Sequence, residues 1–286
     1  MRIFLTGATG YIGSSLAAAL RSAGHDVGAL VRPDADSGFL RDRGVVLIGG
    51  DLEALPSLRE QLDGAYDAFI HTAQARQNTA AADRAAVDTF TSLGGYFLYT
   101  SGVWVLGNND SADEASDVNP LDLVKWRPPH EELVLGAGGA VLRPGCVYGG
   151  KQSLLADWFA SAEQGRPLKI VGDGKNRWAM VDLHDLVDLY LRCVEQGETG
   201  MLHGIDDTSA TLEECARAVA PNGSIESFPL DAARQSFGAF ADALAIDQRI
   251  SSAHTRSQTG WQPRRTFIGS IDEQWREWRI LSGQIR

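Results

Sequence analysis

A glycine-rich segment near the start of the chain has the residue types and spacing of a phosphate-binding turn. It reads TGATGYIG over residues 6–13, between a short β-type run and a helical pattern. Gly7 permits a tight bend, Gly10 lets backbone approach a pyrophosphate, and Gly13 lets helix and strand pack closely. The free N–H groups and the positive end of the helix dipole then hold the phosphates. We expect a dinucleotide to contact Gly7, Thr9, Gly10, Tyr11, Ile12 and Gly13, although such glycines can also simply end a strand.

The residue after the second β-type run bears on which dinucleotide this turn would hold. An NAD site usually has Asp or Glu there, which accepts a hydrogen bond from the ribose 2′-hydroxyl. This chain has Arg32, in the run ALVRP, and a guanidinium suits a 2′-phosphate. Asp34 and Asp36 would weaken its field, and a solvated surface arginine is the alternative. We expect NADP rather than NAD.

Small and polar residues after the other β-type runs would line the rest of such a site. Asp51 follows the third run, where it can face the adenine amino group or simply cap a helix. HTAQA at 71–75 follows the fourth run, and its small residues would let backbone lie along the ribose and pyrophosphate. The further expected cofactor-binding residues are Asp51, Leu52, Thr72, Ala73, Gln74, Thr100, Pro144, Gly145 and Val147.

Apolar strand patterns alternate with helical patterns through the first half of the chain. The predicted strands cover 2–6, 27–31, 45–48, 68–71, 96–99 and 140–142, and the predicted helices cover 11–23, 55–62, 80–93 and 129–135. This alternation is typical of a parallel sheet covered by helices on both faces. The sequence therefore predicts an α/β protein with a doubly wound, Rossmann-type parallel sheet.

The second half has shorter elements, which predict a smaller lobe. Its patterns are helices at 153–164 and 183–195, a strand at 168–171, and an amphipathic helix at 268–278 with Ile271, Trp275 and Trp278 on one face. We assign residues 1–150 to the Rossmann domain, with 183–205 returning to it. Residues 151–182 and 206–286 form the predicted C-terminal substrate lobe over the carboxyl edge of the sheet.

Composition excludes several classes of partner. The 286 residues include 26 Lys and Arg against 37 Asp and Glu, a formal net charge of −11, which argues against nucleic-acid or anionic-membrane binding. No run approaches the ~18 apolar residues that span a bilayer, and residues 1–6 lack the features of a signal peptide. Cys146, Cys193 and Cys215 are too dispersed for a disulfide framework, which fits a reduced compartment. We expect a cytoplasmic location.

Seven segments in order resemble the extended short-chain dehydrogenase/reductase family, in its nucleotide-sugar epimerase/dehydratase-like branch. They are TGATGYIG at 6–13, GDL at 50–52, HTAQA at 71–75, YTSGVWVLG at 99–107, LRPGCVYGG at 142–150, RWAMVDLHDLVDLY at 177–190 and TGWQPRRTF at 259–267. The resemblance implies an NAD(P)-binding core and an α-rich substrate lobe built largely after residue 150. Related folds often dimerise through two helices beside the sheet, so a homodimer stays open.

The chain departs from this family at its catalytic residues. The family carries a Ser or Thr and then Tyr-x-x-x-Lys on a helix, with Tyr as general acid/base. In our alignment the Ser/Thr position falls on Gly102, the Tyr position on Leu123 and the Lys position on Arg127. A one-residue shift restores neither residue, and residues 121–132 contain no tyrosine. The chain therefore looks like an atypical member.

Other residues would have to stabilise or protonate a reacting oxygen. Ser101 follows the fifth predicted strand, at the sheet edge where ligands bind such folds. Arg127 would polarise a carbonyl without giving up its proton, unless it pairs with Glu131 one turn later. Tyr148 and His130 are further candidates, although Tyr148 would equally serve as packing. We take Ser101, Arg127 and Tyr148 as the candidate catalytic residues.

Aromatic and acidic clusters have simpler interpretations. Four tryptophans are expected to border the cleft, where they would shape an apolar or aromatic pocket or only pack the core: Trp104, Trp126, Trp158 and Trp178. Asp182, His184 and Asp185 have metal-ligand chemistry but match a family segment in which such residues cap and orient a helix, so we expect no metal.

These observations favour an NADP(H)-dependent oxidoreductase that transfers hydride to or from a small carbonyl or hydroxyl compound. One alternative is a nucleotide-sugar epimerase or dehydratase, which normally needs the missing tyrosine as base. The other is a non-catalytic NADP-binding redox sensor, which the missing tyrosine favours and the well-formed substrate-lobe segments oppose.

Overall fold

The predicted alternation of strands and helices is realised in the computed structural model, which describes residues 1–150 and 152–285. The strands are β1 (Arg2–Thr6), β2 (Asp26–Val31), β3 (Val46–Gly49), β4 (Ala68–His71), β5 (Tyr96–Thr100), β6 (Asn109–Ala112), β7 (Ala140–Pro144), β8 (Cys146–Tyr148), β9 (Leu168–Val171), β10 (Met180–Asp182), β11 (Gly200–Gly204), β12 (Ile225–Phe228) and β13 (Gln248–Ile250). The helices are α1 (Tyr11–Ser22), α2 (Gly38–Asp42), α3 (Leu55–Leu62), α4 (Thr79–Ser92), α5 (Arg127–Gly136), α6 (Ala156–Glu163), α7 (Leu183–Gln196), α8 (Leu212–Val219), α9 (Leu230–Phe237), α10 (Phe240–Leu244), α11 (Ala253–Thr259) and α12 (Ile271–Leu281).

Seven strands form one parallel sheet in the order β11-β7-β5-β4-β1-β2-β3. β1 pairs with β2 on one side and with β4 on the other, all parallel. The chain order reverses between β1 and β4, and ligands of such sheets bind outside the carboxyl ends of the strands at this point. This architecture confirms the predicted doubly wound α/β fold.

Helices cover both faces of the sheet. α1 and α7 pack together on one face, where Leu16, Leu20 and Leu186 are fully buried. α3, α4 and α5 cover the other face over an aromatic core that includes Phe69 and Phe90, whose rings stack at 5.2 Å between centroids. Within residues 1–150 and 152–285, no helix has the length and apolar character to cross a bilayer.

A second core lies in the C-terminal half. Its two small parallel sheets pair β8 with β10 and β9 with β12. α12 places Trp275 and Trp278 against Phe159 of α6, with centroid distances of 4.9 and 6.4 Å. The predicted shared face of Ile271, Trp275 and Trp278 therefore packs against this lobe core. The predicted lobe boundary at residue 151 lies outside the described residues.

Two differences from the sequence-based expectation concern the main sheet and a helix that packs on it. β11 was not predicted as a strand, because only three residues separate Gly200 from Gly204 and show no extended apolar pattern. β11 nevertheless pairs with β7 and extends the main sheet. Residues 183–205 therefore contain α7, which packs on this sheet, and β11, which belongs to it. α5 begins two residues earlier than predicted because Pro128 and Pro129 occupy its first turn, where proline is tolerated.

A buried ion pair ties α5 to the sheet. Arg143 of β7 donates from Nε and Nη2 to the carboxylate of Glu131, with an Nε–Oε1 distance of 3.0 Å. Both residues are almost fully buried. Removal of one member leaves an uncompensated buried charge, whereas removal of both does not.

We expect Glu131→Ala to lower the free energy of unfolding by about 3–5 kcal/mol. The double variant Glu131→Leu/Arg143→Met should lose much less, since no charge is then stranded. Urea denaturation of the parent, both single variants and the double variant would measure this. A loss below about 1 kcal/mol in Glu131→Ala would contradict the prediction.

Candidate functional site

The glycine turn fits between β1, β4 and α1 only because Gly7 and Gly13 have no side chains. Gly7 has a φ of +82°, and a Cβ there would lie 2.6 Å from Thr72 Oγ1. A Cβ at Gly13 would collide with the backbone of Gly7 itself. Gly10 is different, because a Cβ there would meet only the Gly7 carbonyl oxygen, at 3.2 Å. Gly7 and Gly13 are thus required by packing, whereas a Cβ at Gly10 would make one close contact that a small shift can relieve.

Two adjoining cavities open at the carboxyl edge of the sheet. The first, the β2-side cavity, has a volume of about 310 Å³. It brings together the expected residues Gly7, Thr9, Arg32, Asp51, Leu52, Ala73 and Gln74 with Asp34, Glu53, Arg76 and Gln77. The second, the β5-side cavity, has about 320 Å³ and includes Tyr11, Ile12, Thr100, Ser101, Arg127, Pro144, Gly145 and Val147. Gln74 lines both, so the two cavities adjoin at this residue, and together they are called the cleft.

Three expected residues stand behind this cleft rather than in its wall. Gly10 and Gly13 lie in the turn and in the first turn of α1. Thr72 directs its hydroxyl away, donating to the Thr6 carbonyl oxygen at 2.8 Å, and packs against the glycine turn. Asp51 borders the β2-side cavity, and its carboxylate also accepts the Ala54 N–H at 3.0 Å, which is the helix-cap role considered from the sequence.

Ser101 is the outstanding polar group of the β5-side cavity. The residue is 7% exposed, and its Oγ has no hydrogen-bond partner among the residues that the structure describes. Its backbone N–H donates to the Leu142 carbonyl oxygen at 2.8 Å, which holds Ser101 at the end of β5. A buried hydroxyl without a partner costs folding free energy and calls for an explanation. A bound ligand with a polar oxygen would supply the missing partner.

Arg127 is held beside this hydroxyl. Its Nη1 donates to the Thr100 carbonyl oxygen at 2.9 Å, and its guanidinium lies over the Trp126 ring, 4.5 Å from the centroid. The alternative pairing with Glu131 does not form, because Glu131 is taken by Arg143. One hydrogen bond leaves other N–H groups of the guanidinium available to a ligand.

Tyr148 does not reach the cleft, contrary to the expectation that it faces the reacting group. Its side chain is fully buried, and its hydroxyl donates to Asp206 Oδ2 at 2.7 Å. Burial and the adjacent Asp206 carboxylate raise the pKa of Tyr148 well above its ordinary value. The alternation of side chains along β8 explains this, since Val147 borders the cavity and the next residue, Tyr148, packs in the lobe core.

A buried hydrogen-bonded cluster lies beneath the cleft. Asp83 of α4 accepts from His130 Nδ1 at 2.7 Å, from His71 Nε2 at 3.1 Å and from the Tyr99 hydroxyl at 2.8 Å. Burial by itself would raise the pKa of Asp83, but the hydrogen bonds from His130 and His71 outweigh it and lower that pKa. His71 Nδ1 lies 2.6 Å from Thr6 Oγ1. His130, a sequence-based proton-shuttle candidate, is thus part of a structural cluster.

The aromatic candidates divide between two places. Trp104 and Trp126 border the β5-side cavity together with Leu123 and Leu154. Trp158 and Trp178 instead lie in the lobe core and border a separate cavity. Only the first pair can shape the pocket around Ser101.

The acidic cluster orients a helix, as the resemblance implied. Asp182 caps α7, and its carboxylate accepts the N–H groups of His184 and Asp185 at 2.9 and 3.2 Å. Asp185 in turn accepts the backbone N–H groups of Arg264 and Arg265. Burial raises the pKa of Asp182 to about 6.

The sequence patterns did not identify Arg76, and they assigned Asp34 only the role of weakening the field of Arg32. Asp34 Oδ1 accepts from Arg32 Nε at 3.1 Å, and Asp34 Oδ2 accepts from Arg76 Nη1 at 3.1 Å. The hydrogen bond from Arg32 is the main cause that lowers the pKa of Asp34. The one available signal was the position of Arg76 directly after HTAQA, at the carboxyl end of β4.

This fold and cleft define a Rossmann-type protein with the features of a dinucleotide site. Residues 1–90 match the NmrA-like family. The chain is 30% identical to an uncharacterized protein of Saccharomyces cerevisiae over 96% of this chain and 97% of that protein. It is 28% identical to a 3-diazoavenalumate denitrifying reductase of a Streptomyces species, over 92% and 96%. A dTDP-glucose 4,6-dehydratase of Bacillus anthracis, solved in complex with NAD, has the same fold, with a TM-score of 0.81, 14% identity and coverage of 98% and 99%.

The chain therefore belongs to one family with this Saccharomyces cerevisiae protein, and the NmrA-like match and the dehydratase-like fold agree with an extended short-chain dehydrogenase/reductase. This confirms the resemblance drawn from the seven motifs.

The contrast between two glycines gives a direct test of the turn. Gly10 has φ −84° and ψ 177°, which any L-residue adopts, so Gly10→Val should fold with a loss of only about 1 kcal/mol at the helix cap. The valine should nevertheless fill the space where we expect a pyrophosphate. Calorimetric titration with NADP and NAD should then show at least a tenfold loss of affinity.

Gly13→Val is the matched control for packing. Its Cβ has no room against Gly7, so this variant should melt well below the parent protein. Retained dinucleotide affinity in a folded Gly10→Val protein would mean that the phosphates bind elsewhere.

Proposed function

We propose that this protein is an NADP(H)-dependent oxidoreductase that reduces, or in reverse oxidises, a small carbonyl or hydroxyl compound. The observation that carries the proposal is the buried hydroxyl of Ser101, which has no hydrogen-bond partner among the described residues and lines the same cavity as the guanidinium of Arg127. This cavity adjoins the β2-side cavity at Gln74. A reacting oxygen placed there would accept hydrogen bonds from two different donors.

The residues of the cleft fit a nicotinamide dinucleotide. The start of α1 at Gly10 suits a pyrophosphate, because backbone N–H groups there lack helical partners. The β2-side cavity then suits the adenosine half, with Asp51 and Arg32 in its wall. The β5-side cavity suits the nicotinamide together with a substrate, beside Pro144 and Gly145.

Arg32 supports NADP as the preferred cofactor. It occupies the end of β2, where a carboxylate would favour the unmodified ribose of NAD. The Bacillus anthracis dehydratase binds NAD, but at 14% identity that likeness concerns the fold. The proposed preference for NADP therefore rests on the positive charge of Arg32.

The residues of this chain would divide the chemistry as follows. A bound nicotinamide supplies or accepts the hydride at the substrate carbon. Arg127 retains its proton and stabilises negative charge that develops on the substrate oxygen. Ser101 donates a hydrogen bond to the same oxygen and passes it a proton that solvent replaces. The net reduction adds one hydride to carbon and one proton to oxygen.

The apolar wall of the β5-side cavity indicates the kind of substrate. Trp104, Trp126, Leu123 and Leu154 surround the polar pair, so an aldehyde or ketone with an apolar or aromatic body would bury its surface there. A Streptomyces relative named as a reductase of 3-diazoavenalumate agrees with a reductive role. A nucleotide-sugar epimerase is less well supported because the tyrosine position is occupied by Leu123.

The loss of the family tyrosine also favours a second candidate, a redox sensor that binds NADP without turnover. The two candidates differ in what they predict for Ser101 and Arg127. A sensor would have no use for these groups, whereas a reductase depends on them.

Ser101→Ala should lower kcat for the best substrate of an aldehyde and ketone panel by about 10²-fold, and Arg127→Met by about 10²–10³-fold. The measurement is the loss of NADPH absorbance. Tyr148→Phe is the control, because its hydroxyl lies in the lobe core and its loss should alter stability rather than kcat. Tight NADPH binding without oxidation by any compound would favour the sensor, and unaffected Ser101 and Arg127 variants would reject the assigned roles.

Arg32→Asp should reverse the cofactor preference. The substitution removes the positive charge that suits a 2′-phosphate and adds an acceptor for a ribose hydroxyl. We expect NADP affinity to fall at least tenfold and NAD affinity to rise, as measured by calorimetry. Unchanged NADP affinity would show that Arg32 is only a surface residue.

A further inference from the structure

Two arginines from different strand ends converge on one carboxylate at the mouth of the β2-side cavity. Arg32 follows β2 and Arg76 follows β4, and each donates to a different oxygen of Asp34 at 3.1 Å. All three border the cavity that also contains Gly7 and Asp51. They are partly exposed, with side-chain exposures of 38% for Arg32, 72% for Arg76 and 57% for Asp34. The group therefore lies at the solvent edge of the expected adenosine site.

We infer that Arg76 is a second ligand for the 2′-phosphate of NADP, and that Asp34 is a resident anion with which this phosphate competes. The inference rests on the proposed dinucleotide function and adds two specificity-determining residues to it. The proposed preference for NADP then depends on a charged group of three residues rather than on Arg32 alone.

Hydrogen-bond geometry supports the role of Arg76. A guanidinium has five N–H groups in a rigid fork, and the contact to Asp34 uses one of them on each arginine. Asp34 thus holds both guanidiniums at the cavity mouth while their remaining N–H groups are available. A phosphate, with three acceptor oxygens, can bind such a pair, whereas a ribose hydroxyl can use only a small part of it.

The charge of the group supports the role of Asp34. Two guanidiniums and one carboxylate leave the group with one net positive charge. This charge attracts a 2′-phosphate less strongly than two guanidiniums alone would. The carboxylate repels that phosphate across a partly solvated distance, where like charges still destabilise each other. The chain should therefore bind NADP in preference to NAD by a moderate factor, which substitution of Asp34 would increase.

The test uses adenosine 2′,5′-bisphosphate and adenosine 5′-monophosphate as probes, because neither requires the nicotinamide or any turnover. Calorimetry on the full chain should show that Arg76→Gln weakens the bisphosphate about tenfold and leaves the monophosphate within about twofold. Asp34→Asn keeps the side-chain size and removes the charge. It should tighten the bisphosphate about fivefold, again without effect on the monophosphate.

Arg41→Gln is the matched control. Arg41 borders a neighbouring surface depression together with Ser37 and Gly38, and Arg32 lines both this depression and the β2-side cavity, whereas Arg76 lines only the latter. If the phosphate binds beside Arg76, Arg41→Gln should leave both probes unchanged. A loss of bisphosphate binding in Arg41→Gln but not in Arg76→Gln would place the phosphate in that depression and overturn the inference.

Two further outcomes also overturn it. Weaker bisphosphate binding in Asp34→Asn would make Asp34 a scaffold rather than a competitor. An equal loss of both probes in Arg76→Gln would make Arg76 a general contact for the adenosine. The proposed function fails separately, if the parent protein binds neither probe or if it binds NADPH without oxidising it.

Discussion

The structure depends on the close approach of α1 to β1 and β4 at the glycine turn. Gly13 lies so near the backbone of Gly7 that no side chain fits between them, and Gly7 itself presses against Thr72. This contact sets the first turn of α1 directly above the point where the strand order reverses. α1 also packs on α7, so the glycine turn fixes a helix that connects early and late parts of the chain in the main core. Packing within the protein therefore forms the cleft, and no ligand is needed to shape it.

The strand ends bring different chemistry to the two halves of that cleft. β2 and β4 lead to Arg32 and Arg76 on one side, and β5 and β7 lead to Ser101 and the Pro144-Gly145 segment on the other. The first half carries the charged side chains of Arg32 and Arg76, and the second has a more apolar wall that includes Ser101 and Arg127. Such a division suits a ligand with a charged, solvated end and a reacting end that must exclude water.

Sequence patterns predicted six of the seven strands of the central sheet, all but β11, because buried parallel strands are continuous apolar runs with clear boundaries. They also brought most of the expected cofactor residues to one cleft, since strand ends of a known topology must share an edge. They could not show which way a side chain turns within a three-residue strand, so Tyr148 was placed at the site although it faces the lobe core. Arg76 was missed because its partner Asp34 is 42 residues away and only the fold brings them together.

The absence of the family tyrosine has a local structural cause that bears on proton delivery. The aligned position, Leu123, lies in a short 3₁₀ turn at Asp122–Val124, and α5 begins only at Arg127, with prolines in its first turn. Leu123 still borders the β5-side cavity, so the position exists but is apolar. A proton donor must then come from another wall, and Ser101 lies on the sheet side with its hydroxyl unpaired in the described structure. Because a serine hydroxyl is a weak acid, the proposed role of Ser101 depends on the positive charge of Arg127, whose hydrogen bond to the Thr100 carbonyl oxygen holds it in the wall of the same cavity.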